Sequence, residues 1–210
     1  MKPARRIRLM LVDDHFVVRA GLAGSLGLDP EIQIVAECGT GEEALAAYRK
    51  HQPDVVLMDW RLPGISGVEA AAQIRAEFPD ACILQLTIYE GDEDIFRAAE
   101  AGVRGYLPKS VSRRELLAAI RAVHRGEEVF PAAIKAKLDA RRARPELNER
   151  EKTVLKLIVS GRSNKEIASD LGIAEVTVKF HVGNLLAKLG VQDRTQATTA
   201  AIQRGIVHLD

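Results

Sequence analysis

The chain has 210 residues, of which 47% are hydrophobic and 28% charged, with 30 Lys/Arg against 29 Asp/Glu. This is the make-up of a globular protein with room for one or two cores, and no apolar run approaches the roughly 20 residues of a membrane span. A basic stretch, Met1–Arg8, leads into a strand-like run without a signal-peptide pattern, and Cys38 and Cys82 sit in apolar stretches without metal-ligand spacing; both features predict a cytoplasmic protein with reduced thiols.

The net charge of +1 is unevenly distributed. Residues 1–130 hold 16 Lys/Arg and 20 Asp/Glu, residues 131–145 hold five and one, and residues 146–210 hold nine and eight. An acidic front, a basic connector and a near-neutral tail predict two modules, 1–130 and 146–210, joined by a linker over 131–145. In the first module, short apolar runs at Ile7–Val12, Ile32–Glu37, Val55–Met58, Cys82–Leu86 and Gly105–Leu107 alternate with helix-like stretches such as Gly41–Lys50, Gly67–Phe78 and Arg113–Arg125. Five strands alternating with helices predict an α/β doubly wound parallel sheet with both faces covered.

Beyond Pro145 the pattern is helical throughout. Asn148 with Glu151, and Ser163 with Glu166, have capping-box spacing, and Gly161, Gly172 and Gly190 punctuate the stretch. The result is an all-α module of four helices, two joined across a glycine turn, as in a helix-turn-helix.

Carboxylates gather at the predicted strand ends: Asp13 and Asp14 after strand one, and Asp59 after strand three. Thr87 ends strand four and Lys109 follows strand five. In a sheet of order 2-1-3-4-5 these groups converge on one crevice at the carboxyl ends of the strands, where open α/β sheets bind ligands. Packed carboxylates repel unless a cation joins them, and such an oxygen site suits Mg²⁺. Asp59 would attack a phosphoryl group, with Lys109 and the Thr87 hydroxyl meeting its oxygens.

In the helical tail, Val178, Val182, Leu185 and Leu189 form one stripe of the helix Glu175–Leu189, with Val176, Lys179, Phe180, Gly183 and Ala187 opposite. Lys179 can reach a base edge or phosphate, Phe180 a thymine methyl, and Lys165 a phosphate at a helix start; Lys188 and Arg194 would flank the groove. By spacing alone, the same lysines also fit a small helical protein-interaction module.

The motifs themselves carry a resemblance. "LVDDH" at 11–15, "VVLMDWRLPGISG" at 55–67, "LT" at 86–87 and "GYLPK" at 105–109 resemble the flavodoxin-like receiver domain of two-component response regulators. Residues 147–197 resemble the LuxR-type helix-turn-helix, and the whole chain resembles the NarL/FixJ subfamily. This implies Mg²⁺ held by Asp13, Asp14, Asp59 and the backbone carbonyl of Arg61, and phosphate passed to Asp59 by a sensor histidine kinase. It further implies that Thr87, Tyr106 and Lys109 report the phosphate, with Tyr106 turning from an exposed to a buried rotamer. A homodimer would form in the active state, on a double-stranded DNA operator, with no role for a membrane. Lys165, Thr177, Lys179, Phe180, Gly183 and Asn184 would lie nearest the DNA.

Several positions depart from the family pattern: Trp60 and Ile88 replace an aliphatic and a small residue, Ser110 replaces a common proline, Ala174 replaces a capping serine, and Gly183 stands where a base-reading side chain is frequent. A haloacid-dehalogenase-like phosphohydrolase is disfavoured because Arg61 stands where its acid/base Asp would be, and the chain has no cap domain for a substrate. A constitutive DNA binder with a vestigial receiver is disfavoured by the intact acidic set. The chain therefore reads as a regulator rather than an enzyme.

Overall fold

The computed structural model describes residues 5–88 and 91–208; Met1–Ala4 of the basic N-terminal stretch lie outside them. The chain divides into two compact units, Met1–Tyr89 with Arg97–Lys135 and Glu90–Phe96 with Ala136–Asp210. Strands and helices alternate through the first 124 residues: β1 (Ile7–Val12), α1 (Phe16–Gly27), β2 (Ile32–Cys38), α2 (Gly41–His51), β3 (Val55–Met58), α3 (Gly67–Glu77), β4 (Ile83–Thr87), α4 (Asp92–Glu100), β5 (Gly105–Pro108) and α5 (Arg113–His124).

The sheet has the order β2-β1-β3-β4-β5 and every pairing is parallel, as the alternation predicted. Its strands read as apolar runs because both faces are covered. Leu9, Leu11, Leu57, Leu84, Leu86 and Leu107 point to one face and pack with Leu26 of α1 and Leu116, Leu117, Ile120 and Val123 of α5. Side chains in between alternate to the other face, and buried residues on neighbouring helices include Ala44 and Tyr48 of α2 and Ala70, Ala71 and Ile74 of α3. Full capping boxes, Ser66 with Glu69 and Ser112 with Glu115, start α3 and α5.

The register sets the functional edge. Val12 is level with Met58, Met58 with Gln85, and Thr87 with Pro108. Residues leaving the carboxyl ends of β1, β3, β4 and β5 therefore emerge side by side. Gly67 fixes the turn behind β3: its N–H donates to the Trp60 carbonyl at 2.9 Å, and a Cβ there would fall 1.7 Å from the Asp59 carbonyl oxygen. Only glycine lets the start of α3 approach so closely.

The segment expected as a linker contains a helix, α6 (Ala132–Arg142). After it come α7 (Glu149–Val159), α8 (Asn164–Leu171), α9 (Glu175–Leu189) and α10 (Arg194–Gln203). Both predicted capping boxes are formed, on α7 and α8. Gly172 takes the left-handed conformation, φ +63°, that ends α8 and turns the chain toward α9. The α9 N-cap, Ala174, makes no side-chain capping bond, as its alanine side chain dictates. Val154, Leu155, Ile158, Ile167, Val178, Leu185 and Leu189 form a core shared by α7, α8 and α9.

Because Gly67 is wedged against Asp59, Gly67→Ala should lower stability by about 3 kcal/mol. Gly24→Ala, exposed in mid-α1 with nothing within 4 Å of the new Cβ, should raise it by about 0.5–1 kcal/mol. Thermal melts of the two variants check the pair, since crowding alone makes their signs opposite.

Candidate functional site

The crevice is built by backbone first. The Asp13 N–H donates to the Cys38 carbonyl (3.1 Å), that of Asp59 to the Val12 carbonyl (2.8 Å), and that of Lys109 to the Thr87 carbonyl (2.8 Å). These bonds extend the ladder one step past the strands and hold three charged residues in the sheet's own register. Asp13 and Asp59 are 3% and 6% exposed. The Lys109 ammonium bridges them, donating to Asp13 Oδ2 at 2.6 Å and Asp59 Oδ2 at 2.8 Å. Asp59 Oδ1 accepts the Trp60 N–H at 2.7 Å.

Burial pushes the Asp59 carboxyl above its ordinary pKa, against the pull of Lys109. Burial also works against the Lys109 ammonium, but its hydrogen bonds to Asp13 and Asp59 outweigh it and hold that pKa above the ordinary value. A cation is thus the natural counterpart of this pair of carboxylates. Asp14, at the rim, adds a third. Ligand atoms of Asp13, Asp14, His15 and Asp59 all lie within 4.8 Å of one another. The donor set is oxygen-dominated and fits a small divalent cation.

Thr87, at the end of β4, and Tyr106, inside β5, are fully buried. The Tyr106 ring takes the buried of the two rotamers expected for it, with the fully buried Gln85 as its cross-strand partner, where an aromatic ring removes a large apolar area from water. Arg61 is exposed in the loop between β3 and α3, and Ile88 is 73% exposed. Two participants escaped the sequence reading: the Trp60 amide on Asp59, and His15, whose Nδ1 lies 2.7 Å from Asp14 Oδ1. The position of His15 directly after the two aspartates was the available signal.

The helical unit separates its residues by face. Val178, Leu185 and Leu189 are buried, and Val182 packs partly buried beside them. Val176, Thr177, Lys179, Phe180, Gly183 and Ala187 are exposed, with Phe180 at 66% and Val176 at 72%. Asn184 is half-buried, and Lys165 is exposed in the first turn of α8. Lys179 pairs with Glu175 at 3.1 Å, an exposed i,i+4 contact that is readily exchanged for another anion.

Lys188 does not join that face. Its ammonium turns to α7, meeting the buried Glu151 carboxylate at 2.7 Å and the Glu146 carbonyl at 3.1 Å. Arg194 ties the start of α10 to the Arg162 carbonyl and to Asn164 of α8.

Comparison with known proteins agrees with this geometry. Residues 9–121 match the response regulator receiver domain, and residues 145–201 match the bacterial regulatory proteins of the luxR family. The chain is 41% identical over 206 residues to response regulator protein VraR of Staphylococcus aureus strain N315, covering 96% of this chain and 99% of VraR. The crystal structure of response regulator ChrA, from a heme-sensing two-component system, is 35% identical with a TM-score of 0.59 over 97% of this chain and 100% of that one. A LuxR-family response regulator from Aurantimonas sp. SI85-9A1 is 38% identical with a TM-score of 0.61, covering 65% of this chain and 98% of its own. The fold also matches that of RcsB in its DNA complex, at 23% identity and a TM-score of 0.69 over 93% of this chain and 98% of that one.

The protein belongs to the two-component response regulators of the NarL/FixJ subfamily, which join a receiver domain to a LuxR-type DNA-binding domain. No described helix is long and apolar enough to cross a membrane.

The Glu151–Lys188 pair gives a stability test. Burial lifts Glu151, but hydrogen bonds from Lys188 and the Asn148 N–H prevail and hold its carboxyl below the ordinary value. A carboxyl depressed in the fold stabilises it above the unfolded pKa, and that contribution is lost as pH falls through the folded value. Lys188→Met should therefore cost the helical unit about 2–4 kcal/mol at neutral pH by stranding a buried charge. Calorimetry should show the gap to wild type narrowing below pH of about 4.

Proposed function

We propose that the chain is a phosphorylation-controlled transcription regulator in which Asp59 is the phosphoacceptor, within a module spanning 1–130, and the exposed face of α9 is the DNA reader, within a module spanning 146–210. The observation that carries the reading is the bridge from Lys109 to both Asp13 and Asp59 at the mouth of a parallel sheet. A carboxylate that is buried, cation-paired and aligned by backbone bonds is a poised nucleophile.

Phosphate arrives from a sensor histidine kinase. An Asp59 carboxylate oxygen bonds to phosphorus, the P–N bond of the phosphohistidine breaks, and the imidazole nitrogen keeps the electron pair and takes a proton. Asp13, Asp14, Asp59 and the Arg61 carbonyl would hold Mg²⁺, which would supply neutralisation of charge on the incoming group. Lys109 turns from the Asp59 carboxylate to a phosphoryl oxygen, and the Trp60 N–H keeps the acyl carboxyl group oriented. Thr87 approaches the phosphate through its hydroxyl, and with Tyr106 carries the change to the surface.

On DNA, Lys165 and Arg194 lie where phosphate contacts set register, and Thr177, Lys179, Phe180, Gly183 and Asn184 meet the groove. Lys188 supports α9 from behind. Two copies on a two-half-site operator form the active species, in the cytoplasm.

Acetyl phosphate with Mg²⁺ should add one phosphoryl group, detectable by intact-mass measurement, and Asp59→Asn or chelation should abolish it. Label retained in Asp59→Asn would remove Asp59 from the role. Lys179→Ala should weaken operator binding, and Lys165→Ala should flatten the salt dependence by about one unit of slope. Unchanged binding in both variants would move the DNA face elsewhere.

A further inference from the structure

His15 occupies the N-cap of α1 yet makes no side-chain capping bond. Ser, Thr, Asp or Asn there would accept a helix N–H and contribute about 1 kcal/mol. The imidazole instead faces the acidic crevice. Its Nδ1 lies 2.7 Å from Asp14 Oδ1 and 3.6 Å from Asp13 Oδ1, while its backbone N–H donates to Asp13 Oδ1 at 2.9 Å.

The two oxygens of Asp13 are thereby divided. Oδ2 holds Lys109, and Oδ1 faces His15. One nitrogen atom thus joins three carboxylates in a set whose ligand atoms span no more than 4.8 Å. Ligands about 2.1 Å from a divalent ion stand about 3 Å apart when adjacent and about 4.2 Å when opposite, so small side-chain adjustments suffice. The His15 side chain is 68% exposed. Water can take up Nε2–H when Nδ1 turns its lone pair inward, and the tautomer change needs no buried partner.

We propose that His15 is a further ligand of this site's divalent cation and sets its metal preference. With oxygen ligands alone, the site suits Mg²⁺; with an imidazole nitrogen, it gains affinity for the later first-row ions, in the order Mn²⁺ < Co²⁺ < Ni²⁺. Such ions would then compete with Mg²⁺ for the same carboxylates. This rests on the phosphoacceptor reading of the crevice.

The test titrates the full-length protein with Co²⁺ and, separately, with Mg²⁺. Fluorescence of Trp60, the only tryptophan, follows both ions, and the visible absorption of Co²⁺ reports nitrogen coordination. His15→Asn removes the imidazole but installs a good N-cap, so helix α1 is retained or stabilised. Expected are a tenfold or greater loss of Co²⁺ affinity with an altered Co²⁺ spectrum, and a change in Mg²⁺ affinity of less than threefold. Unchanged Co²⁺ binding, or equal loss for both ions, overturns the ligand role of His15. If wild type binds neither ion, and Asp59→Asn changes nothing, the acidic site itself fails, and that outcome is distinct from the first.

Discussion

One ammonium group organises the polar end of the sheet. Asp13 and Asp59 are both nearly excluded from water, and two such carboxylates side by side would each resist ionisation. Lys109 lies between them because β5 ends level with β4, and its own N–H is held by the Thr87 carbonyl. The arrangement leaves Asp59 oriented by the Trp60 amide and paired with a cation that offsets part of the cost of its burial. Everything beneath it, from the strand register to the glycine behind β3, serves to keep three strand ends level.

A similar economy of charge appears in the helical unit, with the opposite purpose. There the buried Glu151 both closes the capping box of α7 and receives Lys188 from α9. The pair fixes how α9 sits on α7, while the apolar stripe through Val178, Leu185 and Leu189 supplies the burial. The outward face of α9 lies outside that core, with Val176 and Phe180 exposed on it.

The fold was legible wherever a pattern repeats along the chain. Alternating apolar runs gave the parallel sheet, and glycine punctuation with capping-box spacing gave the four helices of the tail. Asp13, Asp59 and Lys109 could be placed together because each directly follows a strand. Lys188 could not be placed, because its partner Glu151 lies 37 positions away on another helix and cross-helix pairs leave no local signature. The burial of Tyr106 is likewise a matter of rotamer and tertiary packing, beyond what a motif can state. A composition rich in Ala, Lys and Arg serves linkers and helices equally well, so the stretch 131–145 reads as a linker with room for a partial helix, and Ala132–Arg142 is helical.

The bond between Asp13 and Lys109 joins residues 96 positions apart, and that from Lys109 to Asp59 spans 50. Contacts of such long range form late, since closing large loops must precede any gain from them. On a ribosome, β1 and β3 emerge well before β5, so the two aspartates wait for their cation until residue 109 has been made and docked. A nascent or truncated chain thus carries the carboxylates without the geometry. Completion of the acidic crevice coincides with completion of the sheet, and only a fully folded module presents it.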